Sequence, residues 1–108
     1  MKTLPIPLSE TTIRTFCQRW QIVEFSLFGS ILRADFRPDS DVDVLVSFAP
    51  NTAWNLLDIV LMQQELESLI GRKVDLVEKP VIESSHNWIR RQEILNTAQV
   101  FYAANDEL

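Results

Sequence analysis

Asp41 and Asp43 stand in a stretch that alternates strictly, with Val42, Val44, Val46 and Phe48 on one side and Asp41, Asp43, Leu45 and Ser47 on the other. A strand here sets the two carboxylates side by side. Like charges so placed repel, which makes them a poor choice for stability alone, and a divalent cation removes the conflict. Each offers a hard oxygen to Mg²⁺, which takes few protein ligands and shares the rest with water and phosphate. Upstream, Ile22 to Phe28 is rich in β-branched and aromatic residues and runs straight into Gly29-Ser30. A strand, a small-residue turn and a short helix near Ile31 to Ala34 make a phosphate cradle. Gly29 lets the backbone approach a phosphate, while the Ser30 hydroxyl and the free N–H groups of the helix start donate to it. A lone Asp-x-Asp is usually a solvated turn, and a lone Gly-Ser carries no information. Their combination between two strand patterns points to phosphate and metal chemistry.

The elements that must position these residues follow from periodicity. Ser9 caps a first helix, with Leu8 and Ile13 as a hydrophobic staple and Ile13, Phe16, Cys17 and Trp20 at helical spacing. Arg37 to Ser40 forms a polar loop ahead of the second strand. After Pro50, Asn51 or Thr52 opens the longest helical pattern, in which Leu56, Ile59, Met62, Leu66, Leu69 and Ile70 face the core until Gly71 ends it. Lys73 to Val77 is a third strand, with Val74 and Leu76 on one face and Asp75 on the other. Alternation alone leaves Asp75 open between an edge charge that reaches water and a site residue. Pro80 breaks this strand, and Ser84 or Ser85 caps a last helix running to about Tyr102 through Trp88, Leu95, Ala98 and Phe101.

These elements predict a small α+β domain over residues 1–108, with a mixed, twisted three-stranded or slightly larger sheet covered by helices on one side. The first two strands are joined by too short a connection for a parallel crossover and are expected to be antiparallel. Arg90-Arg91 is read as a solvated face, and His86 lacks the partners of a zinc site. Trp20, Trp54 and Trp88 are expected in the core or half-buried.

With 108 residues, the sequence has room for one modest core and not for a separate substrate domain. Fifteen acidic against 10 basic residues give a net charge of −5 without any basic run, which argues against a nucleic-acid surface. The single cysteine, Cys17, excludes an internal disulfide and reads as a small core residue. Neither a leader pattern nor a membrane-length apolar run is present, so a cytoplasmic protein is expected.

Gly29-Ser30, ten intervening residues and Asp41-Val42-Asp43 resemble the GSx10DxD signature of the polymerase-β-type nucleotidyltransferases. The surrounding RADFRPDSDVDVLV is similar to their minimal, stand-alone branch, matching at Arg33, Asp35, Arg37, Pro38, Asp39, Ser40, Asp41 and Asp43. The chain departs from that pattern at Ile31, where the branch often has Arg, and at Ala34, where it often has Gly. The resemblance implies a third carboxylate on the strand after the long helix, level with the Asp-x-Asp pair, which selects Asp75 over Glu78. It further implies that Gly29, Ser30 and Arg33 hold the phosphates of ATP, and that Asp41, Asp43 and Asp75 hold two Mg²⁺ ions. Asp75 either completes that metal site or takes the proton of the attacking hydroxyl. Proteins of this branch are typically antitoxins that attach AMP to a tyrosine of a HEPN ribonuclease toxin, so a HEPN partner is implied. Two alternatives stay open: nucleotidyl transfer to a small molecule, and a non-catalytic module that blocks its partner sterically.

Overall fold

In the computed structural model, which describes residues 8–33, 36–37 and 39–104, the first helix begins where its capping residue predicts. Ser9 accepts the Thr12 N–H at 3.2 Å, and α1 (Glu10–Arg19) buries Ile13, Phe16 and Cys17. Leu8 packs on the same core. β1 (Ile22–Phe28) ends in a 3₁₀ turn, Gly29–Leu32, and β2 (Val42–Phe48) returns antiparallel to β1. The expected boundaries of β1 are met, and β2 begins at Val42, one residue after the start of the alternating stretch at Asp41. The short helix expected near Ile31 to Ala34 is instead this 3₁₀ turn, which begins at the glycine. Ala34, Asp35 and Pro38 lie outside the described residues.

The long helix α2 (Leu56–Ile70) starts later than Asn51 or Thr52. Asn51 adopts a positive φ of 72° in the preceding turn, and Asn55 caps the helix through a reciprocal box with Asp58, at 2.8 and 3.0 Å. Gly71 closes it at φ 79°, as its position predicts. Asn55→Ala removes one partner of that box. It is expected to lower unfolding stability by about 1 kcal/mol, read as a lower urea midpoint with an unchanged slope.

β3 (Val74–Glu78) then lies parallel to β2, at an edge of the sheet. Edge strands expose a row of unpaired backbone donors, and α2 covers two of them here. Glu67 accepts the Val74 N–H at 2.9 Å and Gln63 the Leu76 N–H at 3.4 Å. Pro80 opens a short helix, α3 (Lys79–Glu83), because the first turn of a helix does not need the missing N–H. Asn87, not Ser84 or Ser85, caps α4 (Trp88–Thr97), and Gln99–Ala103 forms a fourth strand, β4. The expected helix to Tyr102 is therefore corrected: β4 pairs antiparallel with β1 and gives the order β3-β2-β1-β4.

Both faces of the sheet carry apolar clusters. Phe25, Leu27, Val42, Val44 and Val46 pack with α1 and with Met62 and Leu66 of α2. The second face was expected to be open, but Phe28 and Leu45 are buried there under Ile82 of α3 and Ile94 of α4. Burying each such side chain is worth roughly 1.5–3 kcal/mol, so α3 and α4 are held on this face by packing. Trp20 and Trp54 are half-buried in an edge-to-face pair with centroids 5.2 Å apart, whereas Trp88 is 58% exposed. Leu56 and Leu69 of α2, expected to face the core, are instead exposed together with Leu57, Val60 and Leu61. Among the described residues no helix is long and apolar enough to cross a membrane.

Candidate active site

The register of the three strands decides which carboxylates meet. Phe28 of β1 lies opposite Asp43 of β2, and Asp43 lies level with Asp75 of β3. Paired residues of adjacent strands point to the same face, so Asp43 and Asp75 are lateral neighbours on the face that Phe28 and Leu45 share with α3 and α4. Asp41 precedes β2, two residues before Asp43 and on the same side. Glu78 closes β3 opposite Val46, an odd number of residues from Asp75, and so points to the other face. Asp41 and Asp75 are exposed and Asp43 is half-buried.

Gly29 joins the turn after β1 to this row. Its φ is 77°, in the left-handed region, and a Cβ built on it would collide with the Asp43 carboxylate. The turn and the carboxylate are thus in direct contact, and only glycine permits both the backbone shape and the approach. Ser30 follows in the 3₁₀ turn, where its carbonyl accepts the Arg33 N–H at 2.9 Å. Residue types quoted above for their family resemblance also build the loop ahead of Asp41. Ser40 Oγ accepts the Arg37 N–H at 2.9 Å and the Ser40 N–H donates to the Arg37 carbonyl at 3.0 Å. Arg72, just after α2, donates to the carbonyls of Arg37 and Ser40 at 3.0 and 3.2 Å and lies 4.6 Å from the Phe36 ring centroid. That tether fixes the loop against the start of β3.

The electrostatics centre on Asp43. Burial pushes its pKa up from the ordinary carboxylate value, and the charges of Asp75 and then Asp41 push the same way. Arg33 and Arg90 pull it back down. Arg90 on α4 is the site residue that sequence reasoning missed, since an Arg-Arg pair looks like a solvated face. The available signal was the spacing of Arg90, Glu93 and Thr97, one polar stripe of α4, which lines a cavity of about 310 Å³ beside Gly29 and Arg33.

Among the described residues no three acidic, histidine or cysteine side chains are gathered into a ready-made metal cage. Mg²⁺ does not require one: it is commonly bound by one or two carboxylates together with substrate phosphates and water. The raised Asp43 pKa reports a carboxylate whose burial and acidic neighbours disfavour its charge, which is the condition a cation relieves. The hard oxygen donors of Asp41, Asp43 and Asp75 fit such an ion.

A toxin–antitoxin structure with AMP-PNP matches this fold with a TM-score of 0.68 at 20% identity, over 93% of this chain and 77% of that one. A Shewanella oneidensis complex of a tri-AMPylated HEPN toxin with an MNT antitoxin matches with a TM-score of 0.60 at 19% identity, over 91% and 72%. At these identities the likeness is one of fold. The chain is also 39% identical over 67 residues to the protein adenylyltransferase MntA of Thermococcus cleftensis. That match covers 62% of this chain and 66% of the relative, just under two thirds of the relative's length. The profile described as nucleotidyltransferase domain runs over residues 9–100, from the capping serine of α1 into β4. It takes in the Gly29 turn and every carboxylate of the row it touches, and the chain belongs to the nucleotidyltransferase-domain family.

Proposed function

We propose that the chain transfers an AMP group from ATP to a hydroxyl, that the acceptor is a tyrosine of a HEPN-type toxin, and that the chain acts in the cytoplasm as the antitoxin. The observation that carries this reading is the contact of Gly29 with Asp43, which joins a phosphate-binding turn to a carboxylate row on one sheet face. The relative named as a protein adenylyltransferase and the fold-level neighbours in toxin–antitoxin complexes support the choice of donor and acceptor.

In this reading the N–H groups and hydroxyl of Gly29-Ser30, with Arg33, bind the β- and γ-phosphates. Asp41, Asp43 and Asp75 would hold two Mg²⁺ ions, which when bound neutralise charge on the triphosphate. The acceptor oxygen forms a bond to the α-phosphorus as the bond from that phosphorus to the bridging oxygen breaks. Pyrophosphate leaves with the electron pair. Asp75 is exposed beside Asp43, open to an incoming hydroxyl, and takes its proton before passing it to water. Positioning supplies much of the rate, because little covalent chemistry falls to the protein.

Steric blocking is the second reading, favoured by the exposed Leu56 and Leu57 of α2 and Trp88 and Ile89 of α4, apolar surface suited to a partner. One experiment separates the two. The HEPN protein is incubated with ATP, Mg²⁺ and this chain, the partners are separated, and the intact mass and ribonuclease activity of the toxin are measured. Transfer predicts AMP-sized increments that persist with the toxin inactive. Asp75→Asn should slow their appearance by roughly 10²–10⁴-fold while the complex still forms. An unmodified toxin that recovers fully on separation would leave steric blocking as the function.

A further inference from the structure

We propose that Arg90 of α4 binds the donor polyphosphate, closing with Arg33 a two-guanidinium grip on the β- and γ-phosphates across the cavity beside Gly29. This rests on the reading above, in which a nucleoside triphosphate is the donor.

The cavity of about 310 Å³ has Gly29 and Arg33 on one wall and Arg90 and Glu93 on the other. It falls at the lower end of the roughly 300–1,000 Å³ typical of small-molecule sites. Arg90 was read from the sequence as part of a solvated face, and the packing of Ile94 against Phe28 and Leu45 brings its helix over the carboxylate face. Its backbone N–H is used by the Asn87 cap at 3.1 Å. Its guanidinium, by contrast, makes no hydrogen bond or ion pair among the described residues, although it is close enough to Asp43 to act on that carboxylate. An exposed arginine held in reach of a carboxylate but not paired with it is available to a ligand.

Chemistry favours a polyphosphate over other occupants. Two guanidiniums offer planar, fixed donors that match phosphate oxygens. Among the described residues the one acid lining the cavity is Glu93, which sits one helical turn beyond Arg90. Repulsion from Glu93 drives a polyanion toward the Arg90 end, next to Gly29 and the carboxylate row. A second cavity of about 390 Å³ shares Gly29, Arg33 and Glu93 but replaces Arg90 with Asn96 and Gln99. Its amides suit neutral hydrogen-bonding groups, so the phosphates belong to the arginine end.

The test is calorimetric binding of ATP, AMP and inorganic tripolyphosphate, each with Mg²⁺, to wild type, Arg90→Gln, Arg90→Lys and Arg14→Gln. Arg14 is an exposed residue of α1, the helix of the opposite cluster, and controls for net charge. Arg90→Gln should weaken ATP and tripolyphosphate by roughly 10- to 100-fold and leave AMP within about twofold, since AMP lacks the phosphates in question. Arg90→Lys should recover part of the loss, because a point charge replaces a fork. Arg14→Gln should bind like wild type. Arg90→Gln that binds ATP as tightly as wild type overturns the inference, as does an equal loss for all three ligands, which would mark Arg90 as a support of the fold. Wild type that binds neither ATP nor tripolyphosphate removes the donor reading itself and this inference with it.

Discussion

Asp43→Asn is expected to stop nucleotidyl transfer while making the metal-free domain harder to melt at neutral pH. Burial, then Asp75, then Asp41 hold the Asp43 carboxyl above its ordinary pKa, against the opposing pull of Arg33 and Arg90. A carboxyl with a raised pKa in the fold favours folding most when protonated, below the ordinary carboxylate value. That contribution is lost as the pH rises through the folded-state value. Above the folded-state value wild type therefore bears the penalty, and asparagine, of the same shape, bears none. A like-charge neighbour on a sheet is worth about 0.2–1 kcal/mol, and 1 kcal/mol moves the midpoint of a domain of this size by roughly 4–8 °C. Thermal melts in a chelator should show the variant a few degrees higher at pH 7, with the gap closing in acid where wild type is protonated. Mg²⁺ with ATP should raise the wild-type midpoint by mass action and leave the variant unmoved. Transfer should fall by on the order of 10²–10³-fold or more, since the variant loses a ligand for the ions that would neutralise charge on the reacting phosphate. A variant less stable than wild type in chelator at pH 7 would show that Asp43 is a structural residue.

Gly29 and Gly71 offer a matched pair for the second large effect. Both adopt the left-handed conformation, with φ of 77° and 79°. Around Gly71 nothing lies within 4 Å of the position a Cβ would take, whereas at Gly29 that position is filled by the Asp43 carboxylate. Gly71→Ala should cost about 1–2 kcal/mol of backbone strain and leave transfer intact. Gly29→Ala bears the same strain and also forces Asp43 out of the row, so transfer should fall by at least about a hundredfold, because misplacement of about 1 Å at a reacting centre is enough for that. Circular dichroism of both variants should remain native, and Gly29→Val should in addition lose ATP binding. Equal activity in the two alanine variants would falsify the proposed contact between the turn and the carboxylate.

Local signals explain why parts of this protein were legible. Ser9 and the Ile13, Phe16 and Cys17 stripe define α1, and strict alternation defines β2, because each rests on residues within a turn or two of one another. Gly29 and Asp43 were legible from a small-residue turn and strict alternation, whereas Asp75 joined the row only through the family resemblance, since alternation left it undecided. What was missed required tertiary information. Ala98 and Phe101 continue a helical spacing, but the free edge of β1 recruits Val100, Phe101 and Tyr102, β-branched and aromatic residues that suit a strand, and the edge settles the competition. The head of α2 was misplaced because Asn51 is a good cap in isolation, while the reciprocal Asn55–Asp58 pair holds two donors at once. The polar stripe of Arg90, Glu93 and Thr97 marked a face of α4 but not what it meets, since the nearness of Arg90 to Asp43 arises from how α4 lies on the sheet.

The topology also orders the assembly of the site in time. Gly29 and Asp43 come together through the antiparallel return of β2 on β1, a short-range closure that forms early and cheaply in chain entropy. Asp75 reaches the same row only after α2 has formed and crossed over to lay β3 parallel to β2, a slower, long-range step. During folding the Gly29 turn and Asp43 are expected to be in place before Asp75 arrives, an order that φ-values for the two strand pairs would check. A nucleotide that binds the β1–β2 pair would therefore speed refolding, while a ligand that needs Asp75 would act only by slowing unfolding.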